Sequence, residues 1–155
     1  MPFHGATAAD HDELFAAFQV IVESGDGFPQ AAPLSRADFD EYWIVHSTAV
    51  TVARVDGRLV GASYIKPNFV GRAAHIANAG YFVLPEARGQ GLGRRLVELS
   101  LVEARRLGFD AMQFNLVFVS NPARRMYRSL GFEEIGQIPD AVAGEDAVIY
   151  WRRLD

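Results

Sequence analysis

The stretch Tyr81–Arg95, reading YFVLPEARGQGLGRR, decides the fold. Tyr81, Phe82, Val83 and Leu84 form an apolar run that reads as a strand, and Pro85-Glu86 ends it. Arg88-Gly89-Gln90-Gly91-Leu92-Gly93 follows. Behind it Leu96, Val97, Leu101, Ala104 and Leu107 recur at helical spacing, with Arg95, Glu98, Arg105 and Arg106 on the other face. The spacing predicts a helix from about Gly91 to Leu107, stopped by Gly108. A glycine-rich turn between a strand and a helix start lets the backbone come close to an anion, and the free N–H groups of the first helical turn point at it. The helix dipole and Arg88, Arg94 and Arg95 add positive potential. The stretch therefore reads as a cradle for a phosphate or pyrophosphate.

Upstream, residues 2–6 read as a short strand. Asp10 and Glu13 have the spacing of an N-cap and its reciprocal partner, and Leu14, Phe15, Phe18, Ile21 and Val22 continue a helix to about Glu23. Ser24 to Pro29 breaks it. Ser35 with Asp38 starts a second helix whose Phe39, Tyr42 and Trp43 face the core. Thr48–Val55 alternates and is β-branched, Asp56-Gly57 is a hairpin turn, and Leu59–Ile65 is the returning strand. Residues Ala74–Leu84 form a third long strand. Downstream of the cradle helix, Ala111–Val119 is an apolar strand interrupted by Gln113 and Asn115. Asn121-Pro122 opens a short helix carrying Ala123, Met126, Tyr127 and Leu130, which Gly131 ends. Phe132–Ile138 and Ala147–Leu154 are the last two strands, the final one expected to pair antiparallel. The expected order is β-α-α-β-β-β-α-β-α-β-β.

A chain of 155 residues, 50% hydrophobic and 22% charged, is the size and composition of one soluble domain, expected to span residues 1–155. No apolar run approaches the roughly 20 residues that span a bilayer, and Met1-Pro2-Phe3-His4 lacks the layout of a secretory signal. There are no cysteines, hence no disulfide frame, thiol nucleophile or zinc-thiolate site. These features favour the cytoplasm and no membrane partner. A formal net charge of −4 disfavours nucleic acid. Lys66 is the one lysine among 15 basic residues.

Three anion loops compete for the cradle. The nucleotide P-loop needs Lys-Ser/Thr after its last glycine, where Arg94-Arg95 stand here. The dinucleotide fingerprint starting at Gly89-x-Gly91 finds Arg94 at its third glycine. The pattern Arg/Gln-x-x-Gly-x-Gly/Ala fits through Arg88, Gly91 and Gly93. A second motif lies about 30 residues on, where NPARRMYRSLGF supplies Asn121, Ala123, Tyr127, Gly131 and Phe132. With both motifs in the expected elements, the chain resembles the GNAT superfamily of N-acetyltransferases over nearly its whole length. The resemblance implies an α/β fold with a mixed, mostly antiparallel central sheet, splayed at the acetyl-CoA site and flanked by helices. It also implies acetyl-CoA as co-substrate with no metal, and by analogy a homodimer through the strand edge or last strand. A narrower resemblance rests on Lys66-Pro67-Asn68, Gly71-Arg72, His75, Asn78-Ala79-Gly80, Phe114-Asn115-Leu116-Val117 and Ser120-Asn121. It is to fungal acetyltransferases of azetidine-2-carboxylate and related cyclic amino acids, although these segments also occur in bacterial relatives of unknown substrate.

Acetyl transfer needs a neutral amine, donors for the acyl oxygen, a proton or hydrogen bond for the thiolate, and both reactants held in line. By the resemblance, Val83, with Phe82 and Leu84 beside it, binds pantetheine and the thioester through its backbone, and Arg88, Gly89, Gln90, Gly91, Leu92, Gly93 and Arg94 hold the pyrophosphate. Tyr127 is the expected general acid or sulfur-positioning group, against its alternative as a buried aromatic. Asn121 is expected to cap its helix and reach the cofactor, and Arg124 to meet the 3′-phosphate or stay solvated. Asn78 and Asn115 each interrupt an apolar strand. They are either an acceptor clamp or a bridge between splayed strands, since a buried amide left unpaired costs roughly 1–3 kcal/mol. His75 and Glu23 are the candidate bases. The expected acceptor is a small amino acid or related amine. A protein or peptide amine, or a non-catalytic acyl-CoA sensor, are the alternatives.

Overall fold

A computed structural model describes residues 2–155. Among the described residues seven strands and four α-helices follow the expected order: β1 (Phe3–Gly5), α1 (His11–Ser24), α2 (Arg36–Phe39), β2 (Ala49–Val55), β3 (Arg58–Pro67), β4 (Ile76–Val83), α3 (Leu92–Arg106), β5 (Ala111–Phe118), α4 (Arg124–Ser129), β6 (Glu133–Val142) and β7 (Glu145–Arg153). The strands form one mixed sheet in the order β1-β2-β3-β4-β5-β7-β6. Only β4 and β5 are parallel among the described pairs. The chain divides into two compact units, residues 1–66 with 80–100, and residues 67–79 with 101–155.

In the first unit the two faces of the sheet are covered by different elements. Phe18 and Ile21 of α1, Phe39 of α2 and Trp43 of the following π-helical turn (Asp40–Val45) pack on Val52, Ala62, Tyr64, Phe82 and Leu84. Val83 faces the other way, against Ala53, Val60 and Leu92 of α3. Ser35 caps α2, its hydroxyl accepting the Asp38 N–H at 3.1 Å. The Asp56-Gly57 turn has φ of 51° and 77°, the left-handed pair that a two-residue hairpin demands.

The expected cap at Asp10 and Glu13 does not form. The capping box closes one turn earlier, between Thr7 and Asp10, at a 3₁₀ turn (Ala8–Asp10), and the Asp10 side chain makes no cap bond to α1. Both carboxylates are held by a distant strand pair instead. Asp10 accepts from Arg54 at 2.7 Å, and Glu13 accepts from Arg54 at 2.7 Å and from the Leu59 N–H at 2.8 Å. The Thr7 N–H and the Arg54 guanidinium lower the Asp10 pKa, and the Leu59 N–H leads in lowering that of Glu13.

In the second unit β7 lies between β5 and β6, antiparallel to both. Phe114 of β5, Tyr127 of α4 and Phe132 stack at centroid distances of 4.5–5.9 Å, and Tyr150 of β7 joins them at 5.9 Å from Tyr127. The parallel register of β4 and β5 runs through Ile76↔Ala111 and Ala77↔Met112.

Candidate active site

The turn expected to cradle a phosphate has the backbone its glycines call for. After β4 a 3₁₀ turn (Pro85–Ala87) redirects the chain into Arg88–Gly91. Gly89 and Gly91 have φ of 82° and 79°, the region open to glycine, and a Cβ at either would meet no atom within 4 Å. The helix ladder of α3 starts with the Arg95 N–H donating to the Gly91 carbonyl, so the N–H groups of Leu92 and Gly93 precede that ladder. First-turn backbone donors, the positive end of a helix of 15 residues and side-chain space left empty by glycine coincide at one point. Gly93 packs on Val83, since a Cβ there would sit 3.8 Å from its Cγ2.

The end of β4 presents Val83 away from β3. The Leu84 N–H donates to the Val60 carbonyl at 2.7 Å, so by strand alternation the N–H and C=O of Val83 point to the opposite side. The Val83 carbonyl accepts from Arg88 Nε at 3.0 Å, and Arg88 also pairs with Asp26 at 3.2 Å. Arg88 thus folds back onto the strand end. The Val83 N–H stays directed outward. Phe82 and Leu84 are buried on the α1 face. Gln90 and Arg94 are exposed at the turn, and Glu23 is exposed near the end of α1.

In the second unit Tyr127 is buried, and its hydroxyl donates to no described residue. Burial, with a smaller contribution from Tyr150, pushes its pKa up to about 12. Asn121 Oδ1 accepts the Ala123 N–H at 2.8 Å and shapes the turn that leads into α4, which begins two residues later than expected. All three Arg124 nitrogens have partners: the Tyr150 hydroxyl, the Val119 carbonyl and, at 3.4 Å, Glu134. His75 is exposed and bonds the Arg72 carbonyl through Nδ1 at 2.9 Å.

Asn78 and Asn115 are not a pair. Asn78 Nδ2 donates to the Gln113 carbonyl at 3.0 Å, one position beyond the last backbone pairing of β4 with β5. An amide side chain carries the strand contact forward where the backbone ladder does not. Asn115 is exposed and exchanges both amide bonds with Asn68, while Gln113 Nε2 also donates to Asn115 at 3.0 Å. Sequence reading missed Asn68 as the partner of Asn115, since nothing local signals a contact 47 residues away. Among the described residues no group of three or more His, Cys, Asp or Glu is placed to hold a metal, and no helix is long and apolar enough to cross a membrane.

The model of the acetyltransferase (GNAT) family matches residues 14–132, from α1 through both motifs to Phe132. The chain belongs to that family. A curated relative, N-acetyltransferase aca1 of Schizosaccharomyces pombe, is 34% identical over 137 residues, covering 77% of this chain. The matched region is 66% of that protein's length. The structure of a GCN5-related N-acetyltransferase from Kribbella flavida is 32% identical, covers 98% of this chain and 96% of its own, and superposes with a TM-score of 0.90. A GNAT phosphinothricin acetyltransferase from Sinorhizobium meliloti, solved in complex with AcCoA, shares the fold at a TM-score of 0.88. It is 23% identical, over 99% of this chain and 89% of its own. The relatives are named as N-acetyltransferases, the class of enzyme to which the family assigns this chain.

Proposed function

We propose that this chain catalyses acetyl-CoA-dependent N-acetylation of a small amino acid or related amine, by direct attack of the amine on the thioester. The observation that carries the reading is the cradle. Gly89 and Gly91 hold a left-handed turn with open space on their Cβ sides, and the first turn of α3 begins directly behind it. Those features fit the pyrophosphate of acetyl-CoA, and the Sinorhizobium neighbour of the same fold, solved in complex with AcCoA, supports that co-substrate. When bound, acetyl-CoA supplies the activated acetyl group.

The rest of the mechanism is the work of this chain's residues. The outward N–H of Val83 donates to the acyl oxygen as charge develops there, which contributes roughly 3–4 kcal/mol in a closed site by analogy with other oxyanion donors. Arg88, fixed to the Val83 carbonyl, holds that peptide unit in orientation. Tyr127 acts as a hydrogen-bond donor to the departing sulfur. Outright proton transfer from a phenol at about 12 to a thiolate near 8.5 is uphill by about 5 kcal/mol, so donation without transfer is the role its pKa favours. Asn121 reaches the cofactor with its free amide nitrogen. Arg124 serves as a brace between α4, Val119 and Tyr150. Asn78 holds the β4–β5 contact, and the exposed Asn115 exchanges an amide bond for the acceptor.

The amine must arrive neutral. Deprotonating an ammonium of pKa about 10.4 at pH 7 costs roughly 4–5 kcal/mol, against about 1–1.5 for one near 8. His75 and Glu23 are the groups available as bases, and water suffices for acceptors of low pKa. The test is thiol release from acetyl-CoA against proline, azetidine-2-carboxylate, hydroxyprolines, other amino acids, polyamines and short peptides. Turnover with amino acids supports the reading. Turnover with peptides alone replaces the acceptor by a protein amine, and silence across the panel with acetyl-CoA still bound turns the chain into an acyl-CoA sensor.

A further inference from the structure

Lys66 stands at the end of β3 as the chain's single lysine, in a sequence that uses arginine at its other basic positions. Its ammonium lies over two aromatic faces, 4.2 Å from the ring centroid of Tyr42 and 4.5 Å from that of Tyr64. The two phenols are hydrogen-bonded to each other at 2.9 Å, and Lys66 Nζ reaches the Tyr42 carbonyl at 3.5 Å. The rings are themselves fixed. Tyr42 stacks on Phe18, and Tyr64 stands edge-on to the buried Trp43 at 5.0 Å. Two ring faces and one long carbonyl contact only partly replace water around an ammonium. Among the described residues Lys66 makes no ion pair with a carboxylate, and desolvation is the one influence acting on its pKa, which it lowers. The charge is therefore held half-buried, preorganised and without a counter-ion.

Its position relates it to the acyl-transfer strand. Tyr64, two residues earlier on the same face of β3, is pressed so closely against β4 that a Cβ at Gly80 would lie 2.4 Å from its Cε2. Gly80 precedes Val83 by three strand residues, about 10 Å. An amine attacking at about 3 Å from a thioester carbon, itself one hydrogen bond from Val83, places a group attached one or two bonds beyond that amine at a comparable distance. From these contacts the geometry points to Lys66 as the anchor for the carboxylate of the acceptor. The acceptor class is then an amine that carries its own anionic group, as an α-amino acid does, and not a polyamine or a plain aliphatic amine. This assignment rests on the proposed N-acetyltransferase reading.

Two arms test it separately from that reading. In the first, wild type, Lys66→Met and Lys66→Arg are assayed with amino acids and with their decarboxylated counterparts: proline against pyrrolidine, azetidine-2-carboxylate against azetidine, alanine against ethylamine. Methionine keeps an unbranched stem over the tyrosines and removes the charge. The expected result is a KM for the amino acids raised about 10- to 100-fold in Lys66→Met, the range of a lost charged hydrogen bond. The expected KM for acetyl-CoA and for the decarboxylated amines is unchanged, and Lys66→Arg recovers part of the loss. Equal effects on both members of each pair, or none, overturn the assignment. In the second arm the protein is labelled with ¹³Cε-lysine, which gives one signal because there is one lysine. That signal should shift on titration with proline, azetidine-2-carboxylate or alanine and stay still with the matched amines. A shift without any turnover refutes the enzyme reading and keeps the anion site. Turnover of amino acids with an unmoved signal does the reverse.

Discussion

Gly91→Ala separates a turn that merely needs glycine from one that holds a phosphate. Gly91 has φ of 79° and its absent Cβ would meet nothing within 4 Å. The substitution therefore brings no steric clash within the protein. It forces an L-residue into the left-handed region, at about 1–2 kcal/mol. For a chain of this size that is a loss of about 2–8 °C in Tm. Gly57 in the β2–β3 hairpin is the matched control, with φ of 77° and equally open space. Gly57→Ala should lose the same stability. The two variants should part on ligand affinity. At Gly91 the new methyl stands beside the first-turn N–H groups of α3, and moving a phosphate off even one such donor costs about 1.5–3 kcal/mol, or about 10- to 150-fold in Kd. Differential scanning fluorimetry gives the stabilities, and calorimetric titration with acetyl-CoA and with CoA gives the affinities. Gly57→Ala should bind both as wild type does. Equal binding by Gly91→Ala, at the same loss of Tm, would show that no phosphate lies on this turn.

Tyr127→Phe should lower kcat about 10- to 100-fold and leave the Kd for acetyl-CoA nearly unchanged, as expected for a donor that acts on the developing thiolate; unaltered kcat in single-turnover assays removes Tyr127 from the chemistry. Its folded pKa of about 12 lies above the unfolded value near 10, so the native chain binds the extra proton between them. Stability should accordingly fall as pH rises from 10 toward 12, less steeply in Tyr127→Phe, which urea unfolding at alkaline pH would reveal. The lowered pKa values of Asp10 and Glu13 have the opposite sign: their contribution is present above about pH 4, the unfolded range, and is lost as pH falls through the native values. Arg54→Met should cost about 3 kcal/mol at pH 7 by leaving both carboxylates without their cation, and the difference from wild type should shrink in acid-denaturation series. Gly80→Ala should destabilise by about 1–3 kcal/mol because its Cβ meets the buried Tyr64 ring at 2.4 Å, and Tyr64→Leu in the same chain should recover part of the loss in urea melts.

Element order was readable because each segment buries its own apolar face with its own period, two in the strands and 3.6 in the helices. The turn after β4 was readable for a similar reason, since glycine spacing reports backbone geometry directly: Gly89 and Gly91 do sit at positive φ. Reading failed where a polar side chain has a choice of partners. Asp10 and Glu13 match a helix cap in spacing, yet Arg54 and the Leu59 N–H, more than 40 residues away, hold them. Arg88 belongs to the cradle motif, yet its guanidinium is turned to the Val83 carbonyl and Asp26. Local pattern ranks only near neighbours, and a charged group is satisfied by whichever partner the tertiary fold brings closest.

That accounting also sorts the polar residues set into apolar strands. Asn78 looks in sequence like a ligand-facing amide, whereas Lys66 stands at the end of β3 and interrupts no apolar run. The two differ in what the fold offers them. Asn78 finds the Gln113 carbonyl at 3.0 Å, at the point where the β4–β5 ladder needs a donor, and a neutral amide with that bond has no electrostatic reason to seek more. Lys66 is given ring faces and one distant carbonyl but no opposite charge. A half-buried ammonium gains more from an anion than an already bonded amide gains from any acceptor, because the desolvation of the cation has been incurred before the ligand arrives. On that ground the acceptor's charge is recognised from β3, by a residue that composition alone marks only as the one lysine among 15 basic side chains.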